Sequence, residues 1–171
     1  MPGSLHAWYT LDDLAALGDS GTVLGGEFDT SELERLSDLL HADRHSTVKA
    51  SLCFKRGAHG QAIADLHYKA TLYAVCQRCL ESVEHKIDAT VAWAFVGSES
   101  EAALFPDEFE VLVLEDERLQ PATLIEDELI LALPMVPRHT TVAACGPLAQ
   151  NLRNLVSDRA AERLDSTLEG H

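Results

Sequence analysis

Basic residues, aromatic residues and long apolar runs are all scarce in this 171-residue chain. It carries 13 Lys and Arg against 28 Asp and Glu, a formal net charge of −15 at pH 7. Affinity for nucleic acid comes mostly from Lys and Arg that neutralise phosphates, so this balance argues against binding through a broad basic face. The same balance argues against an anionic membrane surface. It suits a basic protein partner, since complementary charge speeds encounter, and it equally serves solubility.

Targeting and catalytic signals are missing as well. No apolar run approaches the ~20 residues of a membrane span, and Met1–Trp8 lacks the basic start and apolar stretch of a signal peptide. No glycine cluster ends in the Gly-Lys-Ser/Thr of a phosphate loop, and the nucleophile elbow is absent. We therefore expect a cytoplasmic, non-enzymatic protein, in which four cysteines are thiols or metal ligands rather than disulfides.

Alternation of apolar and polar residues over positions 47–96 predicts three long strands. One side of every strand is apolar and the other polar, which is typical of an antiparallel sheet with one buried face. Gly57–Gly60 is expected to turn the first strand into the second, and Phe109–Val113 suggests another short strand. The overall prediction is an α+β fold, in which a curved antiparallel β-sheet of about four to six strands has helices packed on one face.

Three helices are predicted from apolar spacing and terminal signals. They cover Leu11–Leu17, Thr30–His41 and Leu119–Leu133. Thr123 and Glu126 have the spacing of a capping box in the last of them. Residues 1–29 are expected to be otherwise irregular, residues 30–145 to form the α+β domain, and residues 146–171 to be a helical or disordered tail.

A Cys-x-x-Cys pair, Cys76 and Cys79, falls between two predicted strands. In thiol oxidoreductases this motif opens a helix, whereas here the strand pattern resumes soon after Cys79, as in a metal-binding hairpin knuckle. Spacing alone leaves three interpretations: zinc ligands, buried structural thiols, or redox chemistry. His139 and Cys145, about sixty residues later in an irregular segment, would complete four soft ligands for a tetrahedral zinc. Cys53 has no second cysteine or histidine at a metal-binding spacing and is not a candidate ligand.

The run Glu126-Asp127-Glu128 lies in the predicted helix 119–133. Consecutive helical positions fan out by about 100°, so the three carboxylates do not converge on one substrate. Placement near the helix N-terminus explains Glu126 and Asp127 through the helix dipole. The alternative is an acidic docking surface for a basic partner.

With these residues in view, the chain resembles the YceD family of bacterial proteins, named for large ribosomal RNA subunit accumulation. The resemblance lies in Cys76-Gln77-Arg78-Cys79-Leu80, in Ile125-Glu126-Asp127-Glu128-Leu129-Ile130-Leu131-Ala132-Leu133-Pro134-Met135-Val136-Pro137-Arg138-His139, and in Cys145. Members often end in a Pro-Phe-x-x-Leu-x-x-Leu-Lys-like tail, of which Leu148, Leu152 and Leu155 are the nearest trace.

The resemblance implies a non-enzymatic role in the synthesis, processing or stability of 23S ribosomal RNA, and it favours one structural zinc at Cys76, Cys79, His139 and Cys145. Because the chain is acidic, we expect contact through a basic ribosomal protein or assembly factor, with Glu126, Asp127, Glu128, Arg78 and Arg138 as candidate contact residues. One alternative is a zinc-dependent RNA-binding module with a basic patch at Lys69, Arg78, Lys86 and Arg138. The other is a thiol redox enzyme using Cys76 and Cys79.

Overall fold

The structure is a computed structural model that describes residues 4–114 and 118–146. Its centre is a five-stranded sheet in the order β1-β2-β3-β4-β5. The strands are β1 Val23–Asp29, β2 Thr47–Arg56, β3 Ala62–Val75, β4 Ser82–Val96 and β5 Glu110–Val113. The helices of the described residues are α1 Leu11–Ser20, α2 Glu34–Ser37, α3 Glu99–Ala102 and α4 Pro121–Ala132, with 3-10 turns at Thr30–Glu32 and Ala143–Cys145.

The α+β class is confirmed, and the inner face of the sheet carries the core. Apolar residues at every second position of β2 and β3 pack beneath α1, α2 and α4. Leu14 of α1, Leu36 of α2 and Ile125 of α4 are each completely buried there. The three long strands predicted from alternation are therefore β2, β3 and β4, and the turn predicted at Gly57–Gly60 joins the first two, where Gly57 N–H donates to the Gln61 carbonyl at 2.8 Å.

The outer face of the sheet is polar and exposed over most of its area, and apolar and buried around Ile63, Ala94 and Val96. It carries all four lysines of the chain, and each of them pairs with a carboxylate on the sheet. The pairs are Lys49–Glu27, Lys55–Asp65, Lys69–Asp88 and Lys86–Glu84, at 2.7 to 3.2 Å. Positive charge on this face is therefore locally balanced.

Two features of the sheet differ from the prediction. Residues 23–29, expected to be irregular, form edge strand β1, which pairs antiparallel with β2. Only Leu24 and Phe28 of β1 are buried, and Gly26 lies between them, so the apolar alternation that marks a strand is broken. In addition, β5 pairs parallel with β4, so the sheet is mixed rather than antiparallel throughout.

The helix predicted over Thr30–His41 is also wrong in extent. Asp29 and Glu32 form a capping box around a 3-10 turn, and Leu33 is extended at φ −108° and ψ 91°, so the helical path is interrupted before α2 begins. By contrast, the helices predicted at Leu11–Leu17 and Leu119–Leu133 are confirmed as α1 and α4.

The start of α4 differs from the prediction. Gln120 is the N-cap and Pro121 the first helical residue, so Thr123 and Glu126 do not form the predicted capping box. Within the described ranges, every helix is too short or too polar to cross a membrane. The predicted tail lies outside the described residues beyond Gly146, and the division at residues 30 and 145 stays a prediction.

Candidate metal centre

Cys76 and Cys79 lie at the tip of the β3–β4 hairpin. Cys76 N–H donates to the Glu81 carbonyl and Leu80 N–H donates to the Cys76 carbonyl, both at 2.9 Å, which folds the tip into a tight knuckle. Leu80 makes this turn at φ 64°, in the left-handed region that non-glycine residues seldom adopt. The turn directs both sulfurs to the interior, where Cys76 is fully buried and Cys79 is 7% exposed.

The segment after α4 returns to this knuckle. Gln77 N–H donates to the Pro137 carbonyl at 2.9 Å. The Arg78 guanidinium donates to the carbonyl of His139, and to that of Thr141 at 3.4 Å. These bonds join the knuckle to residues about sixty positions later in the chain, so they bring the second pair of predicted ligands beside the first.

The four predicted ligands converge. The donor atoms of Cys76, Cys79, His139 and Cys145 all lie within 4.8 Å of one another. The sulfurs of Cys76 and Cys145 are 3.9 Å apart, and His139 Nδ1 lies 3.6 Å from the sulfurs of both Cys79 and Cys145. Ligands of a tetrahedral zinc, at roughly 2.3 Å for sulfur and 2.0–2.1 Å for nitrogen, are separated by about 3.8 Å and 3.6 Å. The cluster therefore fits a zinc of three sulfurs and one nitrogen.

The backbone around Cys76 favours a thiolate. Burial raises the pKa of its thiol, but N–H groups of Arg78, His139 and Cys79 directed at the sulfur outweigh burial, and the pKa falls to about 5. Burial and the neighbouring sulfurs of Cys79 and Cys76 raise the pKa of Cys145, while the Arg78 charge opposes this. N–H groups directed at a ligand sulfur are a common outer shell of metal-bound thiolates.

Apolar side chains enclose the cluster. Ala74, Val83, Leu133 and Val142 pack around the buried cysteines, apart from the main core beneath α4. Cys53, excluded by its sequence position, is exposed on β2. A shielded site with four protein donors has the character of a structural rather than a catalytic zinc site, because it keeps no open coordination position.

The acidic run on α4 has structural partners that the sequence did not reveal. Glu126 is buried and accepts four hydrogen bonds from α2, two from backbone N–H groups and two from the guanidinium of Arg35. Glu128 is buried beside the hydroxyl of Tyr68, 3.4 Å away. Of the three acidic side chains, Asp127 is the half-exposed one, and it pairs with Arg35 at 2.6 Å.

The pKa of Glu128 is raised above its ordinary value. Removal from water raises the pKa of its carboxyl, and the negative charges of Glu110 and Asp127 raise it further, while the Tyr68 hydroxyl partly opposes the shift. Glu126 thus stabilises the fold through its hydrogen bonds, whereas Glu128 is a buried acid whose ionisation is unfavourable. Binding of a partner by this acidic run stays a prediction, and it rests on Asp127.

Comparison with known proteins bears on the same residues. No solved structure gives a significant match to the chain. The family described as "Large ribosomal RNA subunit accumulation protein YceD" matches residues 64–169, more than half of the chain. That range contains the hairpin tip, α4 and all four clustered ligands. The chain therefore belongs to the YceD family, as the resemblance of its cysteine knuckle and α4 segment indicated.

Proposed function

We propose that this protein is a non-enzymatic factor for the accumulation of large-subunit (23S) ribosomal RNA, that it holds one structural zinc, and that it acts in the cytoplasm through a basic protein partner. The observation that carries the proposal is the convergence of Cys76, Cys79, His139 and Cys145 in a shielded site of zinc-like dimensions. The family name links the chain to ribosomal RNA accumulation.

The zinc would act as a cross-link. Two ligands belong to the hairpin tip and two to residues 139–145, segments joined otherwise by a few hydrogen bonds. Metal bound by such ligands can supply on the order of 10 kcal/mol of apparent folding free energy. Its role is then to hold the segment after α4 against the sheet and to fix the surface formed by residues 131–137.

The distribution of basic side chains favours a protein partner over bare RNA. The alternative RNA-binding patch needs free positive charge at Lys69, Lys86, Arg78 and Arg138. Lys69 and Lys86 are paired with Asp88 and Glu84, and Arg78 donates to backbone carbonyls of the metal segment. With a net charge of −15, the remaining surface suits a basic protein.

The buried position of the cysteines disfavours the redox alternative. A thiol that exchanges with a protein disulfide must present its sulfur to that disulfide, and reactive cysteines are partly exposed. Cys76 has the lowered pKa that redox catalysis would need, but it is fully buried. A lowered pKa together with burial suits a metal-bound thiolate.

The test is affinity purification of the tagged full-length protein from cells at physiological salt, followed by mass spectrometry and RNA sequencing. We expect recovery of basic ribosomal proteins or assembly factors, with RNA lost after nuclease treatment while those proteins stay. Cys53→Ser serves as the matched control for Cys79→Ser, which should lose both zinc and partners. Tight binding of purified protein to ribosomal RNA alone, by filter binding at the same salt, would overturn the choice of a protein partner.

A further inference from the structure

The segment that links β4 to the end of β5 is strongly acidic. Residues 97–114 contain no Lys, Arg or His, and five exposed acidic residues: Glu99, Glu101, Asp107, Glu108 and Glu110. The ion pairs found among the described residues include none of the five. Their negative charge is therefore uncompensated within the described part of the chain, whereas each lysine on the outer face of the sheet has a carboxylate partner.

The basic residues that flank this segment in the sequence act elsewhere. Lys86, the last one before it, pairs with Glu84 at 3.2 Å. Arg118 is the first one after it. Hydrogen bonds from Thr10 lower the pKa of Asp13 in α1, and the positive charge of Arg118 lowers it further. Neither flanking base forms an ion pair with the acidic segment, so its carboxylates are available to a cation from another molecule.

Apolar side chains lie among these acids. Leu104 is 66% exposed, and Phe105 and Phe109 are partly exposed, with their rings in an edge-to-face pair whose centroids are 5.5 Å apart. A guanidinium group pairs with carboxylates and also stacks on aromatic rings, so arginine can use both components of such a surface. An acidic ligand would instead be repelled by the five carboxylates.

A buried carboxyl lies behind the end of this segment. Glu128 of α4 is 7% exposed, and it accepts from the Tyr68 hydroxyl at 3.4 Å, which is long for such a bond. Trp93 of β4, the register partner of Glu110, lies beside the same carboxyl. Burial raises the pKa of Glu128, and the negative charge of Glu110 raises it further. A buried polar group that is poorly hydrogen-bonded requires an explanation, and a cation bound beside Glu110 would offset the repulsion between the two acids.

We propose that an acidic face, formed by Leu104 and residues 107–110 with Glu128 behind them, binds an arginine- and lysine-rich segment of a protein partner. The carboxylates bind the partner's cations, and the apolar side chains pack on the aliphatic stems of the same residues. The inference rests on the proposed function, because it gives the basic partner its place on the surface. It also explains why the chain keeps a carboxyl at position 128, where ionisation is unfavourable.

Titration of the purified full-length protein with a hexa-arginine peptide tests the chemistry of this face. Two-dimensional amide NMR at physiological salt follows the binding. We expect the amide shifts to change over residues 97–113 and around Glu128, and to stay constant over β1. Shifts that change evenly over the whole surface, or no shifts on the acidic face, would overturn the proposal.

Neutral variants separate this face from the general negative charge of the chain. One variant combines Asp107→Asn, Glu108→Gln and Glu110→Gln, and should raise the Kd for the peptide about tenfold. The matched control removes the same charge from exposed positions of α2 and the loop after it, and should raise the Kd less than about twofold; it combines Glu34→Gln, Asp38→Asn and Asp43→Asn. Equal weakening in the two variants would mean that the peptide responds to net charge alone, which overturns the proposal.

Photo-cross-linking in cells tests the partner. A benzophenone amino acid replaces Leu104 or, as the control, Val23, which is 57% exposed on β1 at the opposite edge of the sheet. Arginine- and lysine-rich peptides of the basic proteins recovered by affinity purification should be cross-linked from position 104 and not from position 23. If those proteins are recovered but position 104 gives no more cross-links than position 23, the acidic face is the wrong place and the proposed function stands. If purification recovers no basic protein, the proposed function fails and this docking fails with it.

Discussion

Glu126 on α4 binds both the backbone and the side chain of Arg35 on α2. Its Oε1 accepts the N–H of Arg35 at 2.8 Å, and its Oε2 accepts the guanidinium Nε and a terminal nitrogen at 3.0 and 2.8 Å. The N–H of Leu36 adds a further bond at 3.1 Å. A four-residue helix with no side-chain cap of its own is thereby capped from the opposite part of the chain.

Replacing Glu126 tests that role. Glu126→Ala should lower the free energy of unfolding by about 2–3 kcal/mol, because two buried backbone N–H groups lose their acceptor and a charge-assisted pair is broken. Asp127→Ala is the control: it removes a pair in which both side chains are about half exposed, and should cost at most ~1 kcal/mol. Urea unfolding measures both. Similar losses in the two variants would show that the buried contacts do not set the stability.

The carboxyl of Glu128 predicts a dependence of stability on pH. Its pKa is raised in the folded state, so above the unfolded value of about 4.3 the folded protein holds the proton more tightly than the unfolded chain. The contribution of this group to stability is therefore present at low pH and is lost as pH rises from that value through the folded pKa. Glu128→Gln should remove this loss and be more stable than the parent at pH 7, by on the order of 1 kcal/mol.

Unfolding curves of the parent and of Glu128→Gln between pH 4 and 8 give the difference in unfolding free energy at each pH. Contributions of the other acidic residues are common to both proteins and cancel in that difference. Glu108→Gln, the same substitution at an exposed position of the loop before β5, is the matched control. A constant difference across the range, or a parent that gains stability relative to Glu128→Gln as pH rises, contradicts the assignment.

The contacts of Arg78 predict that its loss speeds the release of zinc. Its guanidinium holds the carbonyls of His139 and Thr141, so its loss frees the segment that supplies half of the ligands. Arg78→Met should release zinc to a chromogenic chelator roughly tenfold faster, in the range seen when outer-shell contacts are removed. Arg138→Met changes an exposed arginine of the same segment and should release zinc at the parental rate. Equal rates in both variants would argue that Arg78 does not position His139.

Leu80 predicts a backbone effect at the knuckle. Its φ of 64° costs a leucine about 1 kcal/mol, and its side chain is 72% exposed, so little packing is lost on replacement. Leu80→Gly should raise the free energy of unfolding by ~0.5 kcal/mol once the greater freedom of glycine in the unfolded chain is subtracted. Leu80→Val should lower it by about 1 kcal/mol or more, because a β-branched residue fits this conformation less well. Thermal or urea unfolding that finds glycine no better than valine contradicts this account.

Local patterns in the sequence were enough for the hairpins and for α4. Strands β2, β3 and β4 alternate over most of their length, because one face packs on the core and the other meets water. The alternation is lost at the start of β3 and the end of β4, where both faces are buried. The same alternation placed Cys76 and Cys79 at a hairpin tip, and the irregular segment after Pro134 allowed His139 and Cys145 to reach them. The four-ligand cluster could therefore be predicted from sequence and family resemblance together.

The remaining features depend on contacts between distant residues. Strand β1 is defined by pairing with β2 and lacks apolar alternation around Gly26. The interruption at Leu33 and the short length of α2 make sense only with Glu126, whose donors lie 90 and 91 positions away in the chain. The role of Arg78 as a donor to the metal segment was hidden in the same way, since its charge alone suggested a contact surface.

The metal content of the purified protein tests the central claim most directly. Protein prepared without chelator should contain one equivalent of zinc by elemental analysis. The Cys53→Ser variant should retain that zinc, and Cys79→Ser should lose it together with much of the thermal stability. Folded parental protein that contains no metal, or a Cys79→Ser variant that binds zinc as fully as Cys53→Ser, would contradict the account.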